Sequence, residues 1–97
     1  MVHYLEEKEI GKEGVDFLLA MQQLHKQGAP RFFLHEVMPI ARCAHMTAGA
    51  AMFVMRTLMT HELVDWQMIE EVRGKHLVFF LTKKGAEFNP TNELLAA

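Results

Sequence analysis

The residues best suited to do chemistry lie in the middle of the chain. Arg73-Gly74-Lys75-His76 sets three cationic or titratable groups around a glycine. That is the composition of an exposed hairpin tip able to meet a phosphate backbone. Arg42, Thr47, Arg56 and Thr57 supply further guanidinium and hydroxyl donors over a short span. Such groups serve phosphate contacts or base edges, although ordinary surface residues would have the same composition. Cys43 and His45, with His35 and His61, are the ligand-type residues nearest one another. Four such groups are a possible zinc set, but they match no spaced motif such as Cys-x-x-Cys, so no metal site is expected. There is no glycine-rich phosphate loop, nucleophile elbow or pair of carboxylates set for acid–base work. The expectation is a chain that is not an enzyme and takes no cofactor.

The elements that must position these residues are organised around Thr47 to Val64, TAGAAMFVMRTLMTHELV. Thr47 is a good N-cap, and Ala51, Val54, Met55 and Leu58 then recur at helical spacing. The helix should end near His61-Glu62, with Leu63-Val64 opening a strand. Before it, Val15, Phe17, Leu18, Ala20, Met21 and Leu24 predict a helix from about Gly11 to Gln27, closed by Gly28 and Pro30. Arg31-Phe32-Phe33-Leu34 fits a brief strand or the entry to the next helix. HEVMPIARCA then repeats apolar residues at helical spacing, but Pro39 argues for a late start near Glu36 to Met38 and only two turns. Ala44-His45-Met46 makes a tight link of about three or four residues. After the central helix, VDWQMIEEV alternates, Arg73-Gly74-Lys75 turns, and HLVFFLT is a second strand, together a hairpin with a basic tip. Thr82 caps a last short helix, KKGAEF, and TNELLAA could add a final turn.

Ninety-seven residues, 51% hydrophobic and 23% charged, make one folded domain with its core at about residues 11–90. No apolar run is long enough for a membrane span, and the acidic start MVHYLEEKEIGKEG has no signal-peptide core. A single cysteine fits a reducing cytoplasm. Net charge is −2, but it is unevenly placed. Residues 1–30 sum to −2 (three Lys, five acids), residues 31–85 to +2 (seven Lys or Arg, five acids), and residues 86–97 to −2 (two Glu). A mildly basic middle permits a phosphate-facing surface without demanding one.

The order helix, short strand, helix, turn, helix, hairpin, helix resembles the MarR and PadR groups of bacterial winged-helix regulators. LMTHELVDW is similar to their recognition-helix exit, RGKHLVFF to their basic wing and following strand, and LTKKGAEF to their Leu-Thr-x-x-Gly ending. The resemblance covers roughly residues 14–90. It implies an α+β, mostly helical winged helix-turn-helix domain: a three-helix core, a β-hairpin wing and a short C-terminal helix. Glu62 departs from it, standing where those families usually carry glycine. Met52 and Phe53 depart too, at helix positions that normally face DNA and are polar or basic.

The resemblance implies a homodimeric regulator that binds double-stranded DNA through Arg42, Thr47, Arg56, Thr57, Arg73, Lys75 and His76. Its rival is a winged-helix module that binds a protein partner through Met52 and Phe53. For those two residues packing under a neighbouring element is the commoner fate, and an exposed apolar patch would mark a partner surface. Leu18, Met21, Leu24, Val54, Leu58, Trp66, Phe79 and Leu81 share a phase that predicts one core. Leu5, Ile10, Leu94 and Leu95 are terminal apolar residues expected to seek burial by self-association.

Overall fold

A computed structural model describes residues 2–89 of the chain, with side chains from Glu9 onward. The described residues form α1 (Val2–Lys26), α2 (Leu34–Ile40), α3 (Ala48–Thr60), β1 (Val64–Glu71), β2 (Gly74–Leu81) and α4 (Lys83–Glu87). The class is α+β, about half helical, with a two-stranded antiparallel hairpin after the helices. The final TNELLAA lies outside the described residues.

The first helix starts earlier than its apolar period suggests. Gly11, at φ 76 and ψ 175, kinks α1, so a second helical segment precedes the amphipathic one. Ile10, at the kink, is 6% exposed and already buried within this chain. It therefore needs no second copy to cover it. Leu5, Leu94 and Leu95 lie outside the described side chains.

Phe32 is both a strand and a helix entry. Its N–H donates to Phe79 O and its carbonyl accepts from Phe79 N–H, each at 2.8 Å, a one-residue bridge on the free side of β2. The next residue caps α2: Phe33 N–H donates to Glu36 Oε1 at 2.9 Å. That bond starts α2 at Leu34, two residues before the late start that Pro39 suggests. Pro39 is accommodated in the last turn.

Three helix ends share one hydrogen-bond pattern, in which the second residue past the cap bonds back to the third-last residue of the helix. Ala29 N–H reaches Leu24 O at 3.1 Å, Cys43 N–H reaches Met38 O at 2.9 Å, and Leu63 N–H reaches Leu58 O at 3.0 Å. Each end needs one left-handed residue. Gly28 fills that place after α1 at φ 99, but Arg42 and Glu62 fill it after α2 and α3, both at φ 61. Glu62 thus adopts the conformation glycine would supply, and the exit from α3 keeps its geometry at a cost in strain. The same device ends α2 early, so the link to α3 spans residues 41–47 and is longer than the expected three or four residues.

The exit turn is locked to the start of α4. Thr82 N–H donates to Leu63 O at 3.2 Å, and Thr82 Oγ1 donates to Glu62 O at 2.6 Å while accepting from Gly85 N–H at 3.0 Å. A Cβ on Gly85 would fall 1.8 Å from Leu63 O. Close backbone approach, and no unusual φ, therefore requires glycine here. Gln22 completes the clasp by donating through Nε2 to Gly85 O at 2.9 Å and Phe88 O at 2.8 Å. Two short motifs, LMTHELV and LTKKG, are one structural unit.

The core sits between α1, α2, α3 and the base of the hairpin. Leu18, Met21, Leu58 and Phe79 are fully buried, with Phe17, Phe32, Val37, Met55 and Leu63. Leu24, Val54 and Leu81 pack against them half-buried. Trp66 is not a core residue, since it remains 49% exposed. β1 pairs only with β2, and past Val64 it lies at the exposed margin of the sheet while Phe79 and Val78 opposite it on β2 stay buried, so the core is covered by β2 and not by Trp66.

Candidate contact surface on α3 and the hairpin

Thr47 caps α3, its Oγ1 accepting from Ala50 N–H at 3.1 Å, which occupies the hydroxyl in a structural role. On the helix, Ala51, Met55 and Leu58 point inward, while Gly49, Phe53, Arg56 and Thr60 are exposed on the other side. Met52 is half-buried, as expected of an apolar helix residue. Phe53 is 71% exposed, contrary to the expectation of burial. The reason is phase: it falls midway between Ala51 and Met55, on the side opposite the core. The two outward hydroxyls bond to their own helix. Thr57 Oγ1 donates to Phe53 O at 3.0 Å, and Thr60 Oγ1 donates to Arg56 O at 2.9 Å. Arg56 is left as the one cation of α3.

Beside Phe53 lies an open groove of about 390 Å³, walled by Ile10, Met46, Ala50 and Val54 with Glu13 and Thr57 at its edge. A second, more polar groove of about 660 Å³ runs between α1 and the end of α2, with Lys12, Asp16, Gln23 and Arg42 on its walls. Arg42 is exposed there on its left-handed backbone.

The hairpin tip differs from a basic wing. The turn is Val72-Arg73, with Gly74 at φ 119 relieving the backbone behind it. The register sets Glu70 opposite Lys75 and Glu71 opposite Gly74, so two carboxylates stand beside Arg73 and Lys75. His76 Nε2 lies 3.8 Å from Glu71 Oε2, and its ring meets Phe33 edge-on at 6.1 Å. At neutral pH the charges of the tip cancel. What projects instead is apolar: Trp66 and Met68 are each 49% exposed, and Val72 is fully exposed.

The four metal-type residues are not brought together, and the described residues contain no group of three or more able to hold a metal. His35 stacks on Phe33 at 5.4 Å. His61 Nε2 sits 3.3 Å from Glu9 Oε2. Cys43 is buried and donates Sγ–H to Ala41 O at 3.3 Å. Burial raises its thiol pKa, and the nearby Asp16 and Glu13 carboxylates add to the shift. A thiol kept protonated in this way is a weak nucleophile.

No family model, curated protein or solved structure matches the chain. No described helix is long and apolar enough to cross a membrane.

The predicted site residues therefore divide. Arg42, Arg56, Arg73 and Lys75 are exposed and enter no ion pair among the described residues. Thr47 and Thr57 are occupied by the helix, and His76 leans on Phe33 and Glu71. Sequence reasoning missed Trp66, Met68 and Val72 as surface residues. The signal for Val72 is its place at the turn, and none is evident for the other two.

Proposed function

We propose that this chain is a winged helix-turn-helix domain that works as a protein-contact module, with α3 and the hairpin as its binding elements. One observation carries the reading. Among the described residues the large exposed hydrophobics are Phe53, Trp66, Met68 and Val72, and all four lie on α3 or the hairpin. Those are the elements that a winged-helix protein of the DNA-binding kind presents to a duplex. Here they offer one arginine on the helix, hydroxyls bonded internally, and a tip whose cations are matched by carboxylates. Apolar patches of this sort mark protein surfaces.

A second reading, duplex binding, is favoured by Arg42, Arg56, Arg73 and Lys75, which are exposed and enter no ion pair among the described residues. Double-stranded DNA would then be held by its backbone, with Arg56 the best-placed side chain for a base edge.

The two readings separate in one pair of experiments. Fluorescence anisotropy with duplex fragments at two salt concentrations should show only weak, sequence-indifferent binding, no tighter than the non-specific range of about 10⁻⁴–10⁻⁶ M. Capture from source cells should yield a partner that Phe53→Glu or Trp66→Ser removes. Specific duplex binding that Arg73→Ala/Lys75→Ala weakens, with a shallower salt slope, would instead establish the second reading.

A further inference from the structure

β1 leaves one edge of the hairpin without a backbone partner among the described residues. Which groups point outward there follows from the bridge on the other side. Phe79 exchanges both of its backbone hydrogen bonds with Phe32, so neither group is directed at β1. Its ladder partner Trp66 therefore stands in a non-hydrogen-bonded pair, with its own N–H and carbonyl turned to the free edge. The alternation of an antiparallel ladder turns the same groups of Met68 and Glu70 outward. The bond from Thr82 N–H to Leu63 O, at 3.2 Å, fixes the same phase at the base. Trp66 N–H is taken by Asp65 Oδ1 at 2.8 Å, whereas Met68 and Glu70 keep both groups unbonded among the described residues. We infer that this edge takes up an extended segment of another protein as an added strand, apolar at alternate positions and basic at its ends.

The row of outward groups specifies a strand, because extended backbone presents donors and acceptors at that repeat. The side chains specify its chemistry. Trp66 and Met68 share one face of β1, each half-exposed, beside Phe79 and Leu77 of β2. In antiparallel pairing the residues opposite Met68 and Trp66 join that face, where branched apolar side chains extend it. Asp65, Glu70 and Glu71 are exposed on β1, which carries no cation. Lys75, opposite Glu70, belongs to β2 on the side away from the edge. The positions facing these three acids therefore call for Lys or Arg. From its N-terminus the segment reads basic, basic, any, apolar, any, apolar, basic. A second copy is a poor occupant, since its β1 would bring the same carboxylates to the seam. Residues 91–97 of this chain hold Glu93 and no cation, so they match no better.

This pairing rests on the protein-contact reading and supplies the hairpin's mode of contact. The test is titration of the intact chain with the end-blocked peptide Lys-Lys-Thr-Val-Thr-Val-Lys, read by the emission of Trp66, the single tryptophan. Saturation with a blue shift is expected, because the guest covers the indole. Methylating the backbone nitrogen of the central valine removes the donor to Met68 O and should weaken binding about tenfold or more. The acidic counterpart Glu-Glu-Thr-Val-Thr-Val-Glu should bind at least about tenfold more weakly at low salt. Met68→Pro removes the outward N–H without costing a ladder bond and should abolish binding, whereas Met68→Val should keep it. Circular dichroism verifies the fold of each variant. No saturable shift up to about 1 mM peptide, equal binding of the methylated or acidic peptide, or binding that survives Met68→Pro overturns the pairing. If it is overturned while a captured partner is still lost with Phe53→Glu or Trp66→Ser, the protein-contact reading stands through side-chain contact alone. Specific duplex binding with no response to the peptide removes both.

Discussion

At the base of the hairpin Val64 and Phe79 are buried, and Leu63, Thr82 and Gly85 share hydrogen bonds and backbone contact. A few residues outward on the same ladder Met68 and Val72 stand in solvent, although both strands run eight residues without a break. The base is richer in apolar residues, but Trp66 there is as exposed as Met68 farther out, so residue type alone does not decide burial. What separates them is opposition. The helices α1, α3 and α4 pack on the hairpin where Val64, Val78 and Phe79 are buried, whereas farther out Met68 and Val72 remain exposed. Burial supplies folding energy only to the first. The apolar side chains of the second therefore contribute little to the fold and are available to a partner.

The sharpest way to break this contrast is at the base. Gly85→Ala would drive a methyl group into the Leu63 carbonyl, with a Cβ–O separation of 1.8 Å before relaxation. Backbone cannot yield as a flexible side chain does, so the expected loss is about 3 kcal/mol or more. Leu58→Ala should cost about 2–5 kcal/mol, since its side chain is fully buried in the core. Urea unfolding measures both. A loss well under 1 kcal/mol for either would mean that the base is no better packed than the tip.

A smaller change of opposite sign sharpens the account of the lock. Glu62 holds a left-handed conformation, which strains an L-residue by about 1–2 kcal/mol. Glycine relieves that strain but adds freedom to the unfolded chain, returning about 0.4–1 kcal/mol. Glu62→Gly should therefore stabilise the protein by roughly 0.5–1 kcal/mol in the same measurement. Destabilisation would show that the Glu62 side chain contributes something its exposed position conceals.

Much of this architecture is legible in the sequence because its signals are local. Thr47 and Thr82 announce helix starts by their own hydroxyls, and both cap as expected. Gly28 announces the end of α1 because glycine is the residue that its φ favours. Arg42 and Glu62 adopt the same conformation without that mark, so the α2–α3 link is longer in the structure than a reading by residue type predicts. The need for glycine at position 85 arises from Leu63, far away along the chain, and no local pattern contains it. The candidate surface divides in the same way. The outward phase of Phe53 and the Glu70–Lys75 register are legible once helix and turn are placed. The exposure of Trp66 is not, because alternation identifies a face but does not reveal whether anything packs against it.

Trp66→Ser carries the smallest expected effect and tests that last point directly. An indole at a core position costs about 3–5 kcal/mol when truncated. Trp66 lies opposite Phe79 in the ladder but keeps half its surface in water. Its contribution should be that of a cross-strand pair, about 0.2–1 kcal/mol, and the variant should unfold at nearly the wild-type urea concentration. The wild-type emission should match, red-shifted as for an indole in contact with water, and should move to the blue only when a partner covers the hairpin. A loss above about 2 kcal/mol, or blue emission from the purified protein alone, would place Trp66 inside an interface or core. In that event the outer hairpin would have its opposing layer already, and the contrast between the two ends would be one of assembly rather than of free surface.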